Sequence, residues 1–283
     1  LVVGTSGRNP ITFDNWNNSK ILAYWKYDDA TKPGKDSHSW LGRLNNIRTA
    51  LQGQQGDRRL RLGIAGGEWK KMMADATART RFASEVKKII EQYEFDGVDF
   101  DFEWPANASE YNNYSATVIQ MRSTLGKYVY FTASLHPVSF KISPEAIDAL
   151  DFISYQCYGP AVMRFPYEQF VKDGEAAVAY GIPKNKLVMG VPFYGSTGSL
   201  IAAYCDFVND GLATTNEDTY TYKGNTYTFN SIETIRKKAR YVCEEDYAGI
   251  MSWDLATDID ITNNKSLLKV IKEEFEYYAN PTE

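Results

Sequence analysis

Three acidic side chains alternate with apolar residues in the stretch from Phe95 to Pro105. Successive side chains of an extended backbone point to opposite faces, so Asp99, Asp101 and Glu103 share one face. Neighbours on that face are two residues apart, which is roughly 6 to 7 Å along a strand. A carboxyl group beside an anion resists ionisation and can serve as a proton donor. The spacing therefore suits acid–base catalysis.

A charged strand edge that faces solvent would show the same alternation. The opposite face of this stretch, however, consists of Val98, Phe100 and Phe102 and is wholly apolar. The preceding segment, Thr80 to Tyr93, has the amphipathic pattern of a helix that leads into the strand. These two features favour a strand whose back is packed under helices.

The run from Asp96 to Pro105 resembles the D-G-x-D-x-D-x-E-[YW]-P signature of family 18 glycoside hydrolases, the chitinase family. The resemblance implies that Glu103 is the catalytic acid and later the base, with Asp101 and Asp99 supporting it. It also implies a retaining, substrate-assisted reaction in which the substrate's own 2-acetamido oxygen is the nucleophile. No cofactor and no metal are expected.

Composition is that of a globular protein of 283 residues, near the typical size of one α/β barrel. The 31 basic and 36 acidic residues give a net charge of -5, which offers no basic surface for nucleic acid. No run of about 18 apolar residues predicts a membrane span. With the resemblance, we expect a monomer that binds a polysaccharide or glycan containing N-acetylglucosamine, in a secreted or cell-envelope location.

The three cysteines, Cys157, Cys205 and Cys243, are too few and too scattered for a disulfide framework or a zinc site, although one bridge between Cys205 and Cys243 is left open. With only two histidines, His38 and His136, the sequence does not favour a histidine metal cluster or a Ser-His-Asp triad. His136 is expected to be structural.

Apolar runs with strand character recur with helical segments between them, which is the pattern of a parallel sheet. Eight such runs are predicted as strands, namely Leu1–Thr5, Lys20–Trp25, Leu60–Ala65, Gly97–Glu103, Val129–Leu135, Phe152–Tyr158, Leu187–Tyr194 and Ala248–Trp253. Closed by a helix over Leu267–Tyr278, they predict an α/β fold, a (β/α)8 TIM barrel with its site at the strand carboxyl ends. We expect a single domain over 1–283, with a short β-hairpin insertion at about 196–229 and without a large α+β insertion.

Further matches to the family lie on the second and third predicted strands. Trp25 ends the second strand and is expected either near the floor of the sugar site or in the core. The segment Leu62–Trp69 resembles the family's S-x-G-G-W motif. It departs from that motif because Ile64 stands where the family usually has Ser and Glu68 is inserted before Trp69.

The sixth predicted strand carries the residue that would hold the acetamido group. Asp151–Tyr158 resembles the family's D-[FY]-[IV]-x-x-[MQ]-x-Y, which implies this role for Tyr158. A rival register would give the role to Tyr155, but it breaks the match at Asp151. Gln156 shares the face of Tyr158 by parity and is expected to bind substrate.

Strands seven and eight complete the resemblance. Leu187–Gly195 matches G-[VL]-P-x-Y-G, which implies that Tyr194 binds substrate, and it contains no acid that could act as a nucleophile. Ala248–Asp254 resembles G-[GA]-[VI]-M-x-W, which implies that Trp253 is the stacking platform under the sugar.

The resemblance implies an endo-acting chitinase that cleaves β-1,4 linkages between N-acetylglucosamine units. Two alternatives stay open. Gln156 favours an endo-β-N-acetylglucosaminidase that cuts the chitobiose core of N-glycans. A chitinase-like lectin would keep the barrel and the aromatic platform without the acid, and the presence of Glu103 argues against it.

Overall fold

The computed structural model describes residues 2–3, 49, 59–66, 68–159, 161–212 and 215–280. The predicted second strand, Lys20–Trp25, and with it the candidate site residue Trp25, lies outside the described residues. The chain divides into two compact units, one made of Leu1–Ser134 and Lys141–Asp151 and the other of Leu135–Phe140 and Phe152–Glu283.

The first unit alternates strands and helices. Its strands are β1 Val2–Val3, β2 Arg61–Ala65, β3 Gly97–Asp101 and β4 Tyr130–Leu135, and its helices are α1 Trp69–Ala74, α2 Ala76–Gln92, α3 Ala108–Leu125 and α4 Pro144–Ala149. The strands pair in parallel in the order β1, β2, β3, β4. Parallel neighbours need a crossover connection, and helices supply those from β2 to β3 and from β3 to β4.

Side-chain caps explain where α2, α3 and α4 begin. Asp75 accepts a hydrogen bond from the amide of Ala78 at the start of α2, and Asn107 caps α3 in the same way. Ser143 caps α4 and is followed by Pro144, whose fixed φ suits the first turn.

The core of the first unit forms behind β3. Val98, Phe100 and Phe102 are fully buried, as the alternation predicts. The ring of Phe100 lies 5.7 Å from that of Phe82 on α2 and 4.8 Å from that of Phe131 on β4. Each buried aromatic ring of this kind stabilises the fold by about 1.5 to 3 kcal/mol, so β3 is firmly held from its apolar side.

The second unit combines a parallel and an antiparallel part. Its strands are β5 Phe152–Tyr155, β6 Leu187–Pro192, β7 Tyr194–Ser196, β8 Ile201–Ala203, β9 Thr219–Tyr222, β10 Asn225–Thr228 and β11 Gly249–Trp253. Its helices are α5 Tyr167–Tyr180, α6 Tyr204–Asn209, α7 Ile232–Glu244 and α8 Leu267–Ala279. The strands β5, β6 and β11 pair in parallel in that order.

The predicted hairpin near Tyr220 is confirmed as β9 and β10, joined by a turn at Lys223 and Gly224. It belongs to a four-stranded antiparallel sheet in the order β8, β7, β10, β9. The tyrosine face of this sheet packs on Phe207 of α6, whose ring lies 5.4 Å from that of Tyr227. The insertion is therefore more than one hairpin, because it also contains β8, which pairs with β7, and α6, which carries Phe207.

Three predicted strands end earlier in the structure than their sequence pattern indicates. β3 ends at Asp101 rather than Glu103, β5 ends at Tyr155 rather than Tyr158, and β6 ends at Pro192 before the antiparallel β7 begins. The alternation of side chains continues past the last ladder hydrogen bond in β3. Periodicity alone therefore could not locate the strand ends.

Within the described ranges, no helix is long and apolar enough to cross a membrane. The same residues hold no cluster of three or more His, Cys, Asp or Glu side chains that could bind a metal ion. All three cysteines are free thiols, so the bridge between Cys205 and Cys243 is not formed.

Candidate active site

The predicted acid row lies at the carboxyl end of β3. Asp99 and Asp101 are half-buried on the face opposite Phe100, and Glu103 follows two residues after the strand ends. The side chain of Glu103 is exposed. The structure therefore places an accessible carboxyl group beyond a strand end, where substrate can reach it.

Both carboxylate oxygens of Asp99 accept hydrogen bonds from side chains on neighbouring strands. The hydroxyl of Ser134 donates to Oδ2 at 2.8 Å, and that of Thr132 donates to Oδ1. The guanidinium of Arg61 contacts Thr132 and lies 3.4 Å from Oδ1. Asp99 is thus held in one orientation by β2 and β4 together.

These partners were missed at the sequence level, although a signal was present. Thr132, Ser134 and His136 alternate with apolar residues along β4, just as the acids do along β3. The register pairs Asp99 with Thr132, so the two polar faces coincide. Comparing the parity of neighbouring predicted strands would have identified Thr132 and Ser134.

The first acid of the motif, Asp96, has a structural role. Its Oδ2 accepts the amide of Leu60 at 2.6 Å, and its own amide donates to the Leu60 carbonyl at 2.9 Å. These two hydrogen bonds fix the start of β3 against Leu60, the residue before β2. Asp96 therefore sets the register that brings Arg61 beside Asp99.

Two buried aromatic residues support the acid row from behind. The Trp69 ring packs at 5.7 Å from that of Phe102, the residue before Glu103. Tyr114 packs edge-on against Trp69, and burial, with the charges of Asp99 and Asp101, raises its pKa well above the usual value. Tyr114 stays neutral there, so it adds no charge to the site.

In the second unit, Tyr158 and Tyr194 form an aromatic cluster with Phe165 and Met251. The Tyr158 and Tyr194 rings meet edge to face with centroids 6.3 Å apart. The Tyr158 hydroxyl donates to the Met251 sulfur at 3.3 Å. A thioether is a weaker acceptor than a carbonyl or carboxylate oxygen, so this particular hydrogen bond is a weak one.

Gly190 on β6 makes room for Tyr158. A Cβ built on Gly190 would lie 2.6 Å from the Tyr155 carbonyl oxygen and 2.8 Å from a ring carbon of Tyr158. Such contacts are shorter than any side chain tolerates. The glycine of the G-V-P sequence is therefore required by close packing against β5 and the Tyr158 ring.

The residues around Tyr158 occupy different environments. The Tyr155 ring is fully buried and packs edge-on against Phe140, which in turn contacts Tyr180 of α5. Gln156 is buried, and its backbone N–H donates to the Leu135 carbonyl at 2.8 Å. Tyr155 is therefore a core residue.

Trp253 is the last residue of β11, and 43% of it is exposed. Its carbonyl accepts the amide of Phe193 at 2.8 Å, while Asp254 caps the short helical segment that follows. A large exposed ring on a fixed backbone is suited to stacking on a sugar.

The family model for glycosyl hydrolases family 18 matches residues 10–258 of the chain. The chain belongs to this family. Among curated proteins it is similar to "Probable chitinase 2" of Drosophila melanogaster, with 23% identity over 297 aligned residues that cover 77% of this chain. The chain spans about 60% of that relative's length.

Solved structures show the same fold. A chitinase from Bacteroides thetaiotaomicron matches with a TM-score of 0.71 and 22% identity, covering 83% of this chain and 81% of that one. A chitinase-like agglutinin from Robinia pseudoacacia matches with a TM-score of 0.65 and 18% identity, covering 87% and 86%. The predicted α/β barrel class is confirmed by this likeness, and the second match shows that the fold also serves a protein described as an agglutinin.

Proposed function

We propose that this family 18 protein is a chitinase, an endo-acting and retaining hydrolase of β-1,4-linked N-acetylglucosamine polymers or oligomers. Glu103 protonates the leaving glycosidic oxygen and then activates water. The attacking group is the substrate's own acetamido oxygen, since Leu187–Gly195 carries no acid that could take that role.

The observation that carries the proposal is the placement of Glu103. Its carboxyl group is exposed just beyond the end of β3, and the strand behind it is fixed by Phe100, Phe102 and the hydrogen bonds of Asp99. A general acid needs access to substrate together with a rigid support, because small displacements cost orders of magnitude in rate.

Asp101 and Tyr158 are assigned the two contacts to the acetamido group. Asp101 accepts its N–H and shares the charge that develops on the ring. Tyr158 donates to its oxygen and keeps it in line for attack. The weak bond from the Tyr158 hydroxyl to Met251 supports this assignment, because a carbonyl oxygen is a better acceptor than a thioether.

Four aromatic or amide side chains are proposed to bind the sugar, namely Trp253, Gln156, Tyr194 and Trp25. Trp253 is the stacking platform among them. The exposed ring of Trp253 supports its part. The compact segment between Gly195 and Asn230 supports endo action, because a short insertion leaves one side of a binding groove low.

An endo-β-N-acetylglucosaminidase acting on the chitobiose core of N-glycans is the second candidate. Gln156, two residues before Tyr158, favours it. Both candidates use the same acid and the same acetamido nucleophile. They differ in the leaving group and in the contacts to parts of the substrate away from the cleaved bond. Phe102 to Pro105 and the Gly190-Val191-Pro192 run favour the chitinase.

A product analysis separates the candidates. The protein is incubated with chitohexaose and, separately, with a high-mannose glycoprotein, and the products are read by mass. Shorter chito-oligomers from the first substrate support the chitinase, whereas release of the glycan with one N-acetylglucosamine left on the protein supports the alternative. Binding of chitohexaose without turnover, and no turnover of a fluorogenic chitobioside, would indicate a lectin.

A further inference from the structure

The backbone that carries Tyr158 is anchored at two places by buried polar side chains. One anchor lies at Tyr158 and Gly159, and the other lies at Phe165, whose ring packs at 5.6 Å from that of Tyr194. Tyr194 in turn touches the Tyr158 ring. The position of Tyr158 therefore depends on both anchors, one through the backbone and one through the aromatic cluster.

His136 forms the first anchor. Its Nε2 lies 2.6 Å from the Gly159 carbonyl oxygen and 3.0 Å from that of Tyr158, while its Nδ1 accepts the amide of Val138 at 3.2 Å. Two carbonyls at Nε2 and a donor at Nδ1 require the neutral tautomer with the proton on Nε2. Burial lowers the pKa of His136, which favours that neutral form.

Lys238 forms the second anchor. It is fully buried on α7, and its Nζ donates to the Phe165 carbonyl and to Oδ1 of Asn230, both at 2.7 Å. Asn230 is also fully buried, and its amide nitrogen donates to the same Phe165 carbonyl at 2.8 Å. Lys238 and Asn230 thus both donate a hydrogen bond to the carbonyl oxygen of Phe165.

A third contact ties the same region to α5. Arg164, the neighbour of Phe165, donates to Oδ1 of Asp173 at 2.8 Å, and Gln169 donates to the same oxygen at 2.8 Å. Asp173 is buried, so this ion pair is shielded from solvent. The backbone from Val162 to Phe165 is therefore held by α5 and α7 together.

We propose that His136 and Lys238 are positioning residues for the hydrolysis, because they fix the Tyr158 and Phe165 carbonyls and so hold the Tyr158 hydroxyl where the acetamido oxygen must lie. This inference rests on the proposed function. Neither side chain touches substrate. A buried amine and a buried imidazole are costly to desolvate, and an apolar side chain would fill either space without that cost. Their hydrogen bonds reach the carbonyls of Tyr158, Gly159 and Phe165, the amide of Val138 and the side chain of Asn230.

The test compares variants that remove each anchor with matched controls. His136→Phe removes the donor and keeps a ring, and Lys238→Met keeps the length of the side chain without its N–H groups. Lys237→Met is the control for Lys238, because Lys237 is the exposed neighbour on the same helix. Ser266→Ala is the control for lost stability, because Ser266 is a buried cap of α8 whose hydroxyl donates to Asp258 and accepts the amide of Lys269.

Two readouts are taken for each variant. Amide hydrogen exchange without substrate reports the mobility of 157–165, and kcat and KM with chitohexaose report catalysis. We expect His136→Phe and Lys238→Met to speed exchange in that segment and to lower kcat by about tenfold or more, with KM changed less, since the lost alignment acts on the attack step. His136→Gln, whose amide can donate to the same carbonyls, should recover part of the rate.

Lys237→Met and Ser266→Ala should neither speed exchange over 157–165 nor lower kcat by more than their change in melting temperature explains. Unchanged exchange over 157–165, or a kcat no lower than that of Ser266→Ala at equal stability, would overturn the proposal. Where Lys238→Met does not fold, Lys238→Gln is measured in the same way, since it retains an N–H donor. A wild-type protein that hydrolyses nothing would reject the function, while the exchange data would still decide whether the two side chains anchor the segment.

Discussion

Thr132 lies opposite Asp99 on the neighbouring parallel strand, and its hydroxyl donates a hydrogen bond to the Asp99 carboxylate. Ser134, on the same face of β4, donates to the other oxygen at 2.8 Å. Since a parallel ladder fixes this register, the orientation of Asp99 is a property of the sheet. Asp101 and Glu103 therefore follow a residue whose side chain is fixed in place.

Removing one of these donors should weaken the acid row without removing any acid. Ser134→Ala is expected to destabilise the fold by about 1 kcal/mol, and to lower kcat/KM more than that loss of folded protein explains, because Asp99 gains freedom. Thermal unfolding and initial rates are compared with those of Thr80→Ala, a change on the exposed face of α2. Equal rates in the two variants would contradict a supporting role for Asp99.

Glu103→Gln should abolish hydrolysis while binding of chitohexaose stays within about tenfold, because the amide keeps the shape but has no acidic proton to give. Rates and calorimetric affinities are measured together. Glu110→Gln is the matched control, since Glu110 lies on α3 outside the acid row and pairs with Lys70 of α1. Residual activity above roughly one per cent would remove Glu103 from the role of general acid.

The stereochemical course should be retention, and the sugar in the reacting subsite should need its N-acetyl group, because that group is the proposed nucleophile. Fresh products of chitohexaose are examined by NMR within the first turnovers, before mutarotation mixes the anomers. The β-anomer should appear first, and cellohexaose should be inert. An initial α-anomer would indicate direct attack by water.

Cleavage should occur at internal linkages, because the segment between Gly195 and Asn230 is short. Chitohexaose should give dimer, trimer and tetramer early in the time course. Soluble glycol-chitin should lose viscosity before much reducing sugar accumulates. A product stream of almost pure dimer from the first minutes would contradict endo action.

The stability conferred by Lys238 should depend on pH. Burial lowers the pKa of its ammonium to about 7, while Cys157, Asp218, Asp173 and Glu168 are the titratable groups around it. An unfolded lysine titrates near about 10.4, so between these values the unfolded chain binds one more proton than the folded chain. The free energy of unfolding should therefore rise with pH across that window, by at most ~1.4 kcal/mol per unit from this group.

Urea unfolding of the wild type and of Lys238→Met at pH 7, 8 and 9 isolates this contribution, because the other titrating groups are common to both proteins. The wild type should gain stability relative to the variant as pH rises. Lys237→Met, with an exposed lysine replaced, should show no such trend. A difference that stays constant or shrinks with pH would mean that Lys238 is charged in the folded protein.

Much of the first unit could be predicted from the chain because its determinants are local. The alternation around Phe100 located the acid face and the buried face of β3, and the amphipathic pattern of Thr80 to Tyr93 located most of α2. These patterns depend only on neighbours along the chain and on the fixed periods of strand and helix. The same alternation placed the end of β3 two residues too far, because the last hydrogen bond of a ladder depends on the partner strand.

The sequence by itself determined which face of β3 bears Asp99, Asp101 and Glu103, and the run Asp151–Tyr158 marked Tyr158 as a candidate. Only the tertiary structure decided what holds them. Asp99 is held from β2 and β4, and the backbone of Tyr158 is held by His136 on one side and through Phe165 by Lys238 on the other. These partners stand 22 to 73 residues away from the groups they bind, so no local period connects them. Strand register and helix packing bring them together, and those arise only when the whole chain is folded.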